Sequence, residues 1–308
     1  MSQLNWEQLA GVNLEYRLYP FEYFLAAQQR LGIRTIELWG GAPHFLLSYD
    51  EVQDCIALRR QVERFGLTVG AFAPECVTYP FPMCSGVPHI QRKALGYYSN
   101  AIHAAAELGA SVVPLSCAGT LKDENPALGF ERAVEMLRVL ADEAKKAGVI
   151  LAVETLSPDV SCILNTLDEL ERLLKAVDSP NVKACLDVCA VRTAGETLDQ
   201  WFDRLGSDVA HIHFTDGKPG GRLVWGQGLH PLDDYVTTLC DRGYRGLLAA
   251  NLNLRGMWFD PTLVENSRGY VGTGFTSENY WFDPAAADEE NLRVLAPYFS
   301  GRERSETK

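Results

Sequence analysis

Short apolar runs alternate with longer amphipathic stretches along most of the chain. Runs of this length are typical of buried strands. They predict eight β-strands, at residues 9–14, 35–40, 68–73, 111–116, 150–155, 182–187, 210–215 and 246–251. Between them, apolar positions recur at helical spacing, which predicts helices at residues 21–32, 92–109, 129–148, 166–177 and 231–243. Glycines typical of helix C-termini precede several strands: Gly32, Gly66, Gly109, Gly148 and Gly243.

Eight strands that alternate with helices predict a single α/β domain, a (β/α)8 TIM barrel over residues 1–300. Residues 252–282 break the alternation, because they are rich in glycine and aromatic residues and show no period. They predict a long irregular loop that either covers a site or packs on the barrel wall. A helix at residues 288–299 is expected to close the barrel, and residues 301–308 are expected to form a disordered tail.

Composition and charge narrow the class of partner. The chain has 308 residues, 47% of them apolar, and a net charge of -12, which disfavours nucleic acid as a partner. The sequence shows neither a signal peptide nor an apolar run long enough to span a membrane. Its eight cysteines are scattered and form no C-x-x-C pair. We therefore expect a cytoplasmic protein with reduced thiols that binds a small polar molecule.

Three chemically active side chains lie at the ends of consecutive predicted strands. Glu154 ends the fifth strand, Asp187 the sixth and His213 the seventh. Because TIM barrels carry their active sites at this rim, the three are expected to converge. Two carboxylates and an imidazole suit a divalent ion such as Mn²⁺, Co²⁺ or Mg²⁺, with Zn²⁺ as a further candidate. The alternative is three solvated strand ends. His211 lies one layer deeper and is interpreted as a hydrogen-bonded structural histidine.

Other polar and aromatic side chains follow the predicted strands and are candidates for substrate binding. Trp39 offers a ring that could stack on a sugar, although a tryptophan in this position can equally be packing. Arg222 follows a glycine-rich "GKPGG" that lacks the phosphate-binding P-loop pattern, so a hydroxyl or phosphate contact competes with simple solvation. The full candidate set is Trp39, His44, Glu75, Ser116, Arg222 and Gln227.

Several segments resemble a known superfamily. "AVETLSP", "CLDVCA" and "HIHFTDG" resemble the xylose isomerase-like TIM barrels, the sugar phosphate isomerase/epimerase superfamily. "IELWGGAPH" followed by "APECVTYPFPMCSG" is similar to the fructoselysine 3-epimerase branch. The likeness covers residues 10–250 and includes the order and spacing of the predicted strands.

The resemblance implies a metal-dependent mechanism. In this superfamily a divalent ion, here expected to be Mn²⁺, is held by a Glu, an Asp, a His and a second Glu on strands five to eight. The first three fall on Glu154, Asp187 and His213, and the fourth position is 251. The ion stabilises an enediolate, while two glutamates exchange the proton beside the carbonyl. Glu154 is the expected base.

The sequence departs from the superfamily at two acidic positions. Asn251 stands where the second glutamate belongs, and Gln227 in "WGQG" replaces another acid. An amide can ligate a metal through its oxygen, but it cannot take up a proton at neutral pH. The protein is therefore expected to use Glu154 as a single base, to recruit another base such as Glu75 or Glu37, or to bind a sugar without catalysis.

The resulting functional prediction is a metal-dependent isomerase or epimerase that acts on a ketose or keto-sugar derivative. The alternatives are a lyase of a 3-keto sugar or oxidised C-glycoside, or a sugar-binding barrel that has lost catalysis. An endonuclease IV-like enzyme is disfavoured, because the chain has six histidines and a net charge of -12. A homo-oligomer is expected, with a hetero-oligomer containing a second subunit as the alternative.

Overall fold

Eight parallel strands close into a barrel in a computed structural model that describes residues 3–76, 81–121, 123–158, 160–218, 221–250 and 283–301. The strands follow chain order around the barrel, and the last pairs with both the first and the seventh. They are β1 (Leu9–Val12), β2 (Thr35–Gly40), β3 (Thr68–Pro74), β4 (Val112–Ser116), β5 (Ile150–Glu154), β6 (Val182–Asp187), β7 (Val209–His213) and β8 (Leu248–Ala249). The predicted TIM barrel is confirmed.

Helices connect the strands and cover the outside of the barrel. They are α1 (Phe21–Leu31), α2 (Cys55–Arg64), α3 (Pro88–Leu108), α4 (Pro126–Ala147), α5 (Leu167–Val177), α6 (Val188–Thr193), α7 (Leu198–Leu205), α8 (Leu232–Asp241) and α9 (Pro284–Leu295). Their apolar faces pack on the strands in one continuous core. The five glycines predicted to end helices all have positive φ. Among the described residues, no helix is both long and apolar enough to cross a bilayer.

Two helices, α6 and α7, were missing from the sequence prediction, and a third, α2, was indicated only by Gly66 at its C-terminal end. Helix α2 buries only Cys55, Leu58 and Val62, and the exposed Ile56 interrupts the periodic pattern, so its signal is weak. Helices α6 and α7 occupy the connection between β6 and β7. The start of α7 carries a capping box between Thr197 and Gln200, a signal that would have located it.

The helix expected at residues 288–299 begins earlier and ends earlier than expected. The side chain of Asp283 caps α9 by accepting a hydrogen bond from the Ala285 amide, and Pro284 occupies the first turn. The helix ends before Pro297, which cannot continue it. Residues Phe299–Ser300 then form a short strand that pairs in parallel with residues Leu4–Asn5.

The floor of the barrel is closed where these two short strands meet. The ring of Phe299 packs edge-on against Trp6 with a centroid distance of 6.2 Å, and the Trp6 indole N–H bonds to the Gly32 carbonyl. The C-terminal ends of β1–β8 lie at the opposite rim. Inside the barrel beside β8, the side chains are small, with Ala10, Val12 and Ala249 forming a separate cluster. The rim is therefore the face that is open for a site.

Candidate functional site

Glu154, Asp187 and His213 converge at the rim, on the ends of three adjacent strands. Nδ1 of His213 lies 2.6 Å from Oε1 of Glu154 and 3.8 Å from Oδ2 of Asp187. All three side chains are buried. The strand register brings two of these side chains together, because Asp187 on β6 pairs directly with His213 on β7. The three residues predicted from their strand ends are thus brought together.

The helix that follows β6 orients Asp187. Oδ1 of Asp187 caps α6 by accepting hydrogen bonds from the amides of Cys189 at 2.7 Å and Ala190 at 3.0 Å. This leaves Oδ2 to face His213 and Arg222. A carboxylate that is fixed through one oxygen presents the other in a defined direction, as a ligand or charge partner requires.

The two oxygens of Glu154 face different neighbours. Oε1 lies 2.6 Å from Nδ1 of His213, and Oε2 accepts a hydrogen bond from the Ser116 hydroxyl at 3.3 Å. Ser116 pairs with Glu154 across β4 and β5, so this contact also follows from strand register. The candidate substrate residue Ser116 therefore lies within the cluster.

Arg222 joins the cluster from a hairpin after β7, in which residues Gly221–Leu223 pair antiparallel with residues Asp216–Lys218. One of its Nη atoms donates to Oδ2 of Asp187 and lies 3.8 Å from Oε1 of Glu154. Burial alone would raise the pKa of Asp187, but the charge of Arg222, His213 and the Ala190 amide together hold this pKa below its usual range. The arginine therefore supplies positive charge where two buried carboxylates meet.

The donor set fits a divalent cation. Oε1 of Glu154 and Oδ2 of Asp187 both face Nδ1 of His213. Nε2 of His213 is on the other side of the ring, 3.4 Å from Oε1 of Glu37, so Nδ1 is the nitrogen available to an ion. Ligand atoms of Glu154, Cys185 and His213 also lie within 4.8 Å of one another. Burial opposes a charge on His213, but Cys185, Glu154 and Glu37 around it raise its pKa. Hard oxygens with one imidazole are ligands that Mn²⁺, Co²⁺ and Mg²⁺ accept.

A second polar layer lies beneath His213. Nε2 of His211 bonds to Oε2 of Glu37 at 2.6 Å, and both side chains are buried. The interpretation of His211 as a hydrogen-bonded inner histidine agrees with this contact. Burial alone would raise the pKa of Glu37, but His213 and His211 together lower it below its ordinary value. Glu37, considered above as a replacement base, is only 1% exposed and lies below the rim.

Trp39 and Glu75 form a polar and aromatic edge at the rim. The Trp39 indole N–H donates to Oε2 of Glu75 at 3.1 Å, and both residues are half-buried. The hydroxyl of Tyr97 donates to the Glu75 carbonyl at 2.8 Å. Burial, Glu75 and Glu154 raise the pKa of the neighbouring Cys76 thiol to about 12. The edge thus combines a ring face with a fixed carboxylate.

His44 is held inside the protein by both ring nitrogens. Nδ1 lies 3.1 Å from Nδ2 of Asn13, and Nε2 lies 2.8 Å from the Tyr19 carbonyl. Asn13 also bonds to both the amide and the carbonyl of Trp39. His44, which was predicted to bind substrate, thus uses Nδ1 to hold the Asn13 side chain that supports the Trp39 backbone, and Nε2 to bind the Tyr19 carbonyl.

Asp216 organises the loop after β7. Its buried carboxylate accepts hydrogen bonds from the amides of Gly217, Gly226, Gly228 and His230. Gln227 lies between two of these amides and is exposed. The segment "HIHFTDG" therefore combines an inner histidine, a rim histidine and a structural aspartate.

Two parts of the site escaped the sequence analysis. Cys185 faces the cluster one layer below Asp187, and the two-residue alternation of β6 is a signal that would have found it. The contact between Glu37 and His211 crosses the barrel interior, and no sequence spacing indicates it. Asn251, predicted as the fourth metal ligand, lies outside the described residues, as do residues 252–282.

Residues 25–268 match the sequence model of a family described as xylose isomerase-like TIM barrel. A fructoselysine 3-epimerase from Shigella flexneri is 29% identical over 76% of this chain and 85% of the relative. The solved 3-keto-D-glucoside 4-epimerase from E. coli has a TM-score of 0.70 and 16% identity, covering 94% of this chain and 99% of that chain. A D-psicose 3-epimerase from Clostridium cellulolyticum H10, solved with D-tagatose, has a TM-score of 0.73 and 20% identity, covering 96% and 97%. At these identities the two solved structures share the fold.

Proposed function

Because the chain belongs to the xylose isomerase-like TIM barrel family, we propose that it is a divalent-metal-dependent isomerase or epimerase of a ketose or keto-sugar derivative. The observation that carries the proposal is the convergence of two buried carboxylate oxygens on Nδ1 of His213. The chain's relatives include a fructoselysine 3-epimerase and a D-psicose 3-epimerase, which supports a sugar with a carbonyl group as the substrate class.

Glu154, Asp187 and His213 would hold the ion, with the amide oxygen of Asn251 as the fourth ligand. We expect Mn²⁺, with Co²⁺, Mg²⁺ and Zn²⁺ as alternatives. The bound ion would polarise the substrate carbonyl and so acidify the adjacent C–H bond. Cys185 beside this set keeps Zn²⁺ among the alternatives, because zinc accepts thiolate ligands.

Glu154 is the proposed base. Its Oε1 faces His213, so Oε2, which the Ser116 hydroxyl contacts, is the oxygen that remains for proton transfer. Ser116 would keep Oε2 directed towards the substrate carbon. Neither Asn251 nor Gln227 can take up a proton. Glu75, which Trp39 fixes at the rim, is the proposed proton partner on the other side of the substrate.

The remaining rim residues would bind the sugar. Trp39 offers its ring face, as aromatic side chains do for carbohydrates. Arg222 would donate to a hydroxyl or carbonyl oxygen of the substrate, and exposed Gln227 would contact a more distant hydroxyl. His44 acts indirectly, through the Asn13 side chain that holds the Trp39 backbone.

Asn251 and Gln227, which stand where the superfamily has acids, favour a second candidate function. With Glu154 as the sole base, abstraction next to a carbonyl leads to isomerisation or to β-elimination, as in a lyase of a 3-keto sugar or oxidised C-glycoside. A partner subunit would then complete the site. A barrel that only binds sugar is the remaining alternative. The fate of the abstracted proton separates these reactions.

The test combines metal analysis with solvent deuterium exchange. We expect the purified protein to contain a divalent ion and to incorporate deuterium next to the carbonyl of a ketose or keto-sugar. Glu154→Gln should lower the exchange rate roughly 10²–10⁴-fold. Glu124→Gln is the matched control, because Glu124 pairs with Arg132 away from the cluster. Metal binding with no exchange into any ketose or keto-glycoside would favour a binding protein.

We also propose a cellular compartment and an assembly state for the protein. All eight cysteines lie in the described ranges and are free thiols, which supports the expectation of a reducing cytoplasm. We expect a homo-oligomer, with a second subunit as the alternative. Light scattering of the purified protein, alone and in cell extract, would measure its assembly state.

A further inference from the structure

Glu37 occupies an unusual position for an acid. It projects from β2 into the barrel interior, where it is 1% exposed. Its partners lie on β7, which is separated from β2 by β8 and β1 in the closed sheet. A buried carboxylate costs several kcal/mol unless it is paired and hydrogen-bonded, as a rough rule. A carboxylate buried this deeply below the rim requires an explanation.

The carboxylate of Glu37 faces two histidines, and in each of them the facing atom is Nε2. Oε2 lies 2.6 Å from Nε2 of His211, and Oε1 lies 3.4 Å from Nε2 of His213. An ionised carboxylate can only accept hydrogen bonds, so the facing nitrogen of His211 must carry its proton. The two imidazole rings are perpendicular, with centroids 5.4 Å apart. One carboxylate therefore contacts both rings from below.

The backbone deviates from regular pairing beside each end of this contact. The register between β2 and β3 shifts between Ile36 and Glu37. The register between β6 and β7 shifts between Ala184 and Cys185, and Cys185 pairs with His211. Irregularities of this kind redirect side chains and are common beside active sites. Both members of the contact therefore lie where the sheet is locally adjusted.

We infer that Glu37 is a positioning residue that keeps the proton of His213 on Nε2 and leaves Nδ1 for the divalent ion. His211 holds Glu37 in place from the side. Histidine ligands commonly donate their second ring N–H to a carboxylate, which fixes the ring and makes the ligating nitrogen more basic. Here Nδ1 of His213 faces Glu154 and Asp187, and Nε2 faces Glu37. The inference rests on the proposed function, because it requires that the rim cluster binds metal.

The first test measures metal affinity without catalysis. Metal-free protein is titrated with Mn²⁺, and the free ion is followed by electron paramagnetic resonance. Glu37→Gln should weaken Mn²⁺ binding roughly 10- to 100-fold, the usual effect of losing such a partner. Glu37→Asp keeps the charge on a shorter side chain and should weaken binding less. Glu196→Gln is the control, because the Glu196 carboxylate accepts hydrogen bonds from Trp201 and Leu167, neither of which belongs to the metal cluster.

The second test needs no variant. Wild-type protein labelled with ¹⁵N is loaded with diamagnetic Zn²⁺, and the ring nitrogens of His213 are assigned by long-range proton–nitrogen correlation. We expect a protonated Nε2 and an unprotonated Nδ1. The reverse pattern would overturn the inference even if every Glu37 variant failed to fold.

The outcomes separate the two proposals. If the wild type binds no divalent ion, the proposed function fails and this inference with it. If the wild type binds Mn²⁺ and Glu37→Gln binds it equally tightly, only the inference fails. A purely structural Glu37 would lower the melting temperature of the variant without changing its Mn²⁺ affinity.

Discussion

Arg222 donates a hydrogen bond to Oδ2 of Asp187, the same oxygen that lies 3.8 Å from Nδ1 of His213. The guanidinium thus lies beside the oxygen of Asp187 that would bind an ion. In the metal-free protein it balances the negative charge of the rim cluster. Charge compensation by Arg222 and by a cation should therefore be partly interchangeable.

Replacing Arg222 should make the protein more dependent on metal for stability. We expect Arg222→Gln to lower the free energy of unfolding of the metal-free protein by roughly 2 kcal/mol, since breaking a partly buried ion pair leaves a buried carboxylate uncompensated. Mn²⁺ should then raise the melting temperature of the variant more than that of the wild type. Differential scanning calorimetry with EDTA and with Mn²⁺ measures both. Arg204→Gln, at a surface ion pair, is the control, and equal Mn²⁺ shifts in all three proteins would contradict the prediction.

The choice of proton partner can be tested at positions 75 and 251. If Glu75 returns the proton, Glu75→Gln should lower the rate of epimerisation more than the rate of deuterium exchange, because exchange needs only Glu154. Asn251→Glu should restore some activity by the two-glutamate route of the family. Both rates are read by mass spectrometry and sugar chromatography in D₂O. A variant Glu75→Gln with unchanged product stereochemistry and rate would exclude Glu75 from proton transfer.

The glycine at position 228 should be essential for the loop after β7. A Cβ added there would lie 2.1 Å from Oδ1 of Asp216, among the backbone amides that donate hydrogen bonds to this carboxylate. Gly228→Ala should therefore cost about 1–3 kcal/mol by overpacking. It should also raise KM more than it lowers kcat, since it displaces Gln227 and Arg222 rather than Glu154.

The control for this variant is Gly148→Ala. Gly148 has positive φ, unlike Gly228, but a Cβ there meets nothing within 4 Å. It should cost about 1 kcal/mol through the left-handed backbone alone and leave KM unchanged. Equal effects of both alanines on KM would show that the Asp216 loop does not contact substrate.

Asp288 should make stability fall as pH rises. Burial raises the pKa of Asp288 to about 6, against the hydrogen bonds from Tyr16 and Gln28 that lower it. Between the ordinary value of 3.8 and about 6 the folded state binds more protons than the unfolded state, so stability is lost as pH rises through this window. Asp288→Asn keeps an oxygen acceptor and should remove this loss.

Urea unfolding at pH 4.5 and pH 8 measures the effect. The wild type should lose about 1–2 kcal/mol of unfolding free energy from pH 4.5 to pH 8 that Asp288→Asn does not lose. The partial exposure of Asp288 limits the effect to this size. Glu289→Gln, on the exposed side of the same helix, should follow the wild type. A wild-type stability difference that the Asn variant reproduces would exclude Asp288 as its source.

The barrel could be predicted because its signal repeats along the chain. Each strand is a short apolar run and most helices carry a long periodic face, so eight repeats reinforce one another. Glu154, Asp187 and His213 could be placed because a parallel barrel puts all strand ends at one rim. Helices α6 and α7 were missed because each is short, with six and eight residues, although α7 carries a capping box. Helix α2 is longer, but an exposed Ile56 weakens its periodic pattern.

The inner layer could not be predicted from spacing. The contact between Glu37 and His211 depends on strand tilt, on two register shifts and on the width of the barrel interior. His44 shows the same limit, since only the packed structure shows that Asn13 and Tyr19 use both its nitrogens. Strand-end position predicts which residues reach the rim, but tertiary packing decides which nitrogen or oxygen each presents.

The parallel pairing of residues 4–5 with residues 299–300 has a consequence for how the chain folds. These segments, like β1 and β8, can meet only after nearly all of the intervening chain has been made. Closing so long a loop is entropically expensive and slow, and contacts of this range delay folding. Until β8 has been synthesised, the sheet of a nascent chain stays open and one edge of β1 is unpaired. We expect dependence on chaperones to be greatest at that stage.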